Sequence, residues 1–142
     1  MRVGIVARLA GAGMLMASGL AVAAPARAPT LSALAQIEPG QWQLKTAGSS
    51  AAPSTLCIAN ADTLIQYGHT SLQCQRFIIA NEANLATVHY TCPGTGHGQT
   101  SVKVTTGRNF SLDTQGIING APFEEQYEAR RIGACPANGA AH

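Results

Sequence analysis

The chain has 142 residues, nine Lys and Arg against seven Asp and Glu, and four cysteines. Two of the basic residues, Arg2 and Arg8, precede a candidate export cleavage site, so the part that follows carries seven charges of each sign. That balance leaves no electrostatic footprint for nucleic acid and no polybasic patch for anionic lipid.

Residues 1–23 read as a secretory signal peptide: Arg2 and Arg8 form the positive n-region, residues 9–21 a weakly apolar h-region, and Ala21-Val22-Ala23 an A-x-A cleavage site. Cutting after Ala24 or Ala28 would place Pro25 or Pro29 directly behind the cut, so Ala23 is preferred. The apolar run is rich in Ala and Gly and shorter than the roughly 20 residues that span a bilayer, so no membrane span is expected once it is removed. The first cysteine is Cys57, which argues against a lipoprotein anchor. The expected address is the periplasm, or secretion beyond it. The remaining 119 residues make one domain of a size that buries only about two-thirds of its unfolded surface, so covalent staples help.

Residues 24–36, rich in Ala and Pro, read as a flexible tail with at most a helical turn near 31–36, and 37–136 as a single β domain. Pro39-Gly40 is a turn that launches a strand over 41–46, with Trp42, Leu44 and Thr46 on one face and Gln41, Gln43 and Lys45 on the other. Trp42 is read as core, the alternative being a platform for stacking sugars. Residues 47–53 form a hairpin connection to a short strand at 54–58 carrying Cys57. Asn60 can cap a helix over 61–67, with Asp62 in its first turn and Gly68 ending it.

The stretch from Cys74 to Cys92 reads as a β-hairpin closed by a disulfide. A three-residue loop at Glu82-Ala83-Asn84, with Asn84 left-handed, sets 74 opposite 92, 76 opposite 90, 78 opposite 88 and 80 opposite 86. Ile78, Ala80, Ala86, Val88 and Tyr90 then share the face of both cysteines. A two-residue loop would put the thiols on opposite faces. Of the three possible pairings of four cysteines, this register selects Cys74–Cys92 and leaves Cys57–Cys135. No Cys-x-x-Cys pair is present, so neither a zinc knuckle nor a thioredoxin motif is indicated.

Pro93 to Gly98 reads as a glycine-rich turn, without the spacing or Lys of a phosphate loop. A meander follows, through Val102 and Val104, a turn at Gly107-Arg108-Asn109, then Phe110 and Leu112 to Ile118. Asn119-Gly120 is a type I′ hairpin signal. The last strand, over 123–132, sets Phe123, Tyr127 and Ala129 against Glu124, Gln126, Glu128 and Arg130 on the other face, and 137–142 is a disordered tail. The predicted class is mainly β: a curved antiparallel β-meander, half-barrel or sandwich-like, with one short helix and two disulfides.

Pro39-Gly40-Gln41-Trp42-Gln43-Leu44, the strand at Cys57, the cysteines at 74 and 92, and the closing Arg131-Ile132-Gly133-Ala134-Cys135 together resemble the bacterial domain of unknown function 3617 family over residues 37–135. The resemblance implies an exported envelope protein with a small β domain and no assigned activity.

Chemistry-bearing residues are sparse. His69, His89, His97 and His142 have no ligand spacing, no serine sits in a Gly-x-Ser-x-Gly elbow, and the cysteines are expected to be bonded. No catalytic residue, cofactor or metal is assigned. The expected function is a non-catalytic envelope domain that binds a small apolar ligand or a protein partner, with Trp42, Phe77, Phe110 and Tyr127 as candidate lining residues, joined by Ile79 and Phe123. The alternative is a periplasmic hydrolase or metal-dependent enzyme using His89 and His97 with a nearby carboxylate. A third reading is an assembly partner docking through an exposed sheet edge.

Overall fold

The computed structural model describes residues 29–70 and 73–137; the expected signal peptide over 1–23, residues 24–28 and 71–72, and the expected tail from 138 to 142 lie outside the described residues. Seven strands follow in chain order: β1 (Gly40–Thr46), β2 (Ser54–Ile58), β3 (Gln75–Asn81), β4 (Leu85–Cys92), β5 (Gly96–Thr106), β6 (Asn109–Ile118) and β7 (Ala121–Gly133). They form one antiparallel sheet in the order β2-β1-β7-β6-β5-β4-β3, so the architecture is a single layer rather than a sandwich. The chain makes the β1–β2 hairpin at one edge and crosses to the other through a 3-10 helix, Ala61–His69. It then meanders back until β7 pairs with β1.

Alternation builds the core. Trp42 and Leu44 of β1, Val88 and Tyr90 of β4, Val102 and Val104 of β5 and Phe110 and Leu112 of β6 all point to one face, where Leu64 and Ile65 of the helix cover them. Period-2 burial on a half-buried sheet is what such alternation dictates. The sheet is curved: Leu56 and Cys57 on β2 and Arg76 on β3, from opposite edges, border the same groove beside the helix. The half-barrel expectation holds.

Both bridges form as the hairpin register implies. Cys74–Cys92 has its Cα atoms 4.2 Å apart, and Cys57–Cys135, at 5.5 Å, ties edge strand β2 to the chain leaving β7. The pairs Arg76↔Tyr90 and Ile78↔Val88 are as expected, but a bulge at Ile79 then sets Ala80 opposite Thr87 instead of Ala86. Bulges gather at sheet edges, and the extra residue shifts the loop by one. Asn84 is not left-handed; among the described non-glycine residues only Asn119 has positive φ. The Asn84 carbonyl accepts from Val104 N at 2.8 Å, and beyond the last ladder pair, Asn81↔Ala86, Glu82 N closes the hairpin by donating to Leu85 O at 2.8 Å.

Three further expectations change. Residues 29–36 are docked, not loose: Leu31, Ala33 and Leu34 are buried, and Ser32 N donates to Asn81 Oδ1 at 2.9 Å around a 3-10 turn at Leu34–Gln36. Apolar side chains at 31 and 34 are what a tail at the mouth of a half-barrel can bury. The main helix is of 3-10 type, kinked at Gln66, and runs past Gly68 to His69, although Asn60 caps it through Asp62 N as expected. Gly68 serves close approach rather than a stop, since a Cβ there would lie 2.9 Å from the Phe123 ring. The connector after Cys92 is a turn only over 93–95; Gly96 and Gly98 belong to β5. At Asn119-Gly120 both φ angles are positive, 51° and 81°, as a type I′ turn requires.

Candidate functional site

The inner face carries two different environments. Under the helix C-terminus lies a buried polar chain that the sequence reading missed. His69 is 2% exposed, its Nδ1 is 3.1 Å from the Tyr90 hydroxyl, and its Nε2 has no partner. The Tyr90 hydroxyl also bonds Thr114 and Thr100, whose own hydroxyls are 2.9 Å apart. Burial pushes the Tyr90 phenol up, and the two threonine hydrogen bonds oppose that rise. Strand parity held the signal for this chain. Thr100 follows the phase of Val102 and Val104, and Thr114 that of Leu112 and Phe110, so both had to face inward. Gly98 sits in the same phase because the Tyr90 ring occupies the space its side chain would need: a Cβ there would be 2.5 Å from the hydroxyl.

The second environment is the groove of about 630 Å³ between the helix and the two sheet edges. Leu56 and Cys57 line it from β2, Leu64 and Tyr67 from the helix, and Arg76 from β3. Asn60 and Asp62 also border it. The Arg76 guanidinium donates from Nη2 to Gln66 Oε1 at 3.0 Å, which fixes the cation against the helix. Beside it, Tyr67 packs edge-on against Tyr127 with ring centroids 5.4 Å apart. Burial, then the hydrogen bond to Glu125 and that carboxylate's charge, pushes the Tyr127 phenol up; burial followed by Glu125 does the same to Tyr67. Glu125 thus turns inward from β7, a placement its parity with Phe123 and Tyr127 implied.

The four residues expected to line a cavity are not brought together. Trp42 and Phe110 are core, fully packed with ring centroids 4.8 Å apart, and Trp42 Nε1 donates to Glu38 O at 3.1 Å. Tyr127 stands half-buried behind Tyr67, and Phe77 is 70% exposed on the outer face of edge strand β3, near Ile79 at 51%. Phe123 packs against Gly68 and, 5.9 Å between ring centroids, His69.

On that outer face one row crosses five strands: Phe77, His89, Gln99, Gln115, Glu124. His89 and His97 share the face, with ring centroids 6.0 Å apart, and both border a shallow depression of about 570 Å³. Glu124, which also borders it, stands three strand spacings from His89, about 14 Å. Among the described residues no three His, Cys, Asp or Glu side chains gather as a metal-holding group, and no helix is long and apolar enough to cross a membrane.

Fold and site together define a small disulfide-stapled half-barrel whose mouth is filled by a helix and flanked by a groove. The chain belongs to the family described as protein of unknown function (DUF3617), whose model matches residues 37–135. No curated protein and no solved structure matches it.

Proposed function

We propose that this chain is an exported, periplasmic, non-catalytic binding protein that holds a small amphiphile in the groove beside the 3-10 helix. The observation that carries the reading is the groove itself. It has about 630 Å³ of space, Leu56, Leu64 and Tyr67 along its length, and the fixed guanidinium of Arg76 at its border. An apolar chain buried along those side chains contributes roughly 0.8 kcal/mol per methylene. Arg76, presenting a planar fork of donors, suits a carboxylate or phosphate head better than a neutral one. Two disulfides and the signal-peptide pattern support the exported address.

The reading is tested by titrating an environment-sensitive fluorescent fatty acid into the purified chain and displacing it with unlabelled fatty acid. Arg76→Glu is expected to weaken binding at least tenfold, about 1.4 kcal/mol, while leaving the melting temperature unchanged, and Leu56→Glu to weaken it by a similar factor. Unaltered binding in both folded variants would remove the groove as the site. The competing reading, a hydrolase or metal-dependent enzyme at His89 and His97, is supported by their shared face and opposed by the distance to Glu124.

A further inference from the structure

We infer that His89 and His97 form a two-histidine site for a divalent transition-metal ion, on the sheet face opposite the groove and independent of it. His89 lies opposite Gln99 on β5 and His97 opposite Thr91 on β4, so the two histidines are diagonal cross-strand neighbours. Long side chains at such positions reach one another. Their ring centroids are 6.0 Å apart and the ring planes 36° from parallel.

Metal geometry matches that spacing. With a metal–nitrogen bond of about 2.0–2.1 Å, each imidazole centroid stands about 3.2 Å from the ion, and two such rings are about 5.2 Å apart at a tetrahedral angle and about 6.4 Å apart when opposed. The observed 6.0 Å falls inside this interval, so the spacing of the rings suits a shared ion once their nitrogens turn toward it. The shallow depression that both histidines border leaves room for water on the remaining coordination positions. Since no third His, Cys, Asp or Glu joins a group here among the described residues, the ion is held by two protein ligands and exchanges freely. Imidazole selects Cu²⁺, Ni²⁺ and Zn²⁺ over Mg²⁺ and Ca²⁺, with Cu²⁺ bound most tightly.

The test is a calorimetric titration of the intact exported chain with Cu²⁺ and Zn²⁺, paired with NMR of the histidine ring protons under substoichiometric Cu²⁺. One equivalent is expected to bind, broadening His89 and His97 together. His89→Ala and His97→Ala are each expected to weaken it about 100-fold, because either change converts a chelate into a single ligand. His142→Ala, which changes the histidine of the tail, is expected to leave binding intact. His97 is exposed, so its variant keeps the test meaningful if His89→Ala folds poorly. Wild-type affinity in folded His97→Ala, or Cu²⁺ broadening confined to His142 or the terminal amine, overturns the assignment.

Discussion

Replacing Cys57 and Cys135 together by alanine is expected to lower folding stability by about 4–5 kcal/mol, the largest loss from any single bridge in the molecule. The two cysteines are 78 residues apart in sequence, against 18 for Cys74 and Cys92. On the chain-entropy account the longer loop restricts the unfolded chain more, and the shorter bridge contributes about 3 kcal/mol. Position adds to length. β2 has five residues and pairs only with β1, so Cys57–Cys135 is its second tie to the sheet. Since Leu56 and Cys57 also form one wall of the groove, the variant is expected to lose the fluorescent ligand as well as stability. Denaturant unfolding of the oxidised chain and the double variant measures the first effect. A loss below about 1 kcal/mol would show that β2 is held by its pairing with β1 alone.

The second large effect is expected at Gly98, where alanine lowers stability by about 3–5 kcal/mol. A Cβ at this position would lie 2.5 Å from the Tyr90 hydroxyl, 2.6 Å from its Cζ and 2.9 Å from the Gln115 carbonyl oxygen. Tyr90 cannot yield freely, because its ring is fully buried and its hydroxyl is shared with His69, Thr100 and Thr114. Pushing the ring away strains a packed core and breaks the bonds of the buried Tyr90 hydroxyl to His69, Thr100 and Thr114. Gly133 provides the contrast. It lies at the end of β7, outside the left-handed region, and a methyl group added there would meet nothing within 4 Å. Gly133→Ala is therefore expected to change stability by less than about 0.5 kcal/mol. Equal melting temperatures for the two variants would contradict the close packing of Tyr90 on Gly98.

Most of this architecture was legible because parity and cross-link agree. Cys74 and Cys92 can bridge only in a register that also turns Ile78, Val88 and Tyr90 to one side, and that is the face the helix covers. Asn119-Gly120 announced its own turn. Where the reading failed, the deciding interaction was tertiary. The bulge at Ile79 is coupled to Asn81, whose side chain holds the N-terminal segment through Ser32 N and Thr30 O. Nothing local to the hairpin specifies that. Gly68 looked like a helix stop because glycine commonly is one, yet its role is to admit Phe123 from a strand more than fifty residues away. The glycines at 96 and 98 looked like loop because their service is to the Ile117 carbonyl and the Tyr90 ring, on other elements.

The candidate site was less legible than the fold. Aromatic residues were expected to line a cavity, but Trp42 and Phe110 are consumed by the core and Phe77 faces outward. The groove is lined instead by residues of three separate segments: β2, the helix and Arg76 of β3. Only the curvature of the sheet brings opposite edges together, and curvature is a property of the whole sheet rather than of any one strand's sequence. His89 is the exception. Its outward face follows from the hairpin register, whereas His97 lay in a stretch read as a turn, and their adjacency needed the β4–β5 register.

The measurement that tests the proposed binding function most directly is native intact-mass spectrometry of the chain exported to a bacterial periplasm, run beside Arg76→Glu. The expected result is a mature chain lacking four hydrogens for its two disulfides, carrying a noncovalent adduct of lipid size that the Arg76→Glu protein lacks. A bridged chain that carries no adduct and takes up no fatty acid on titration, or an adduct retained equally by Arg76→Glu, would contradict the groove as a ligand site.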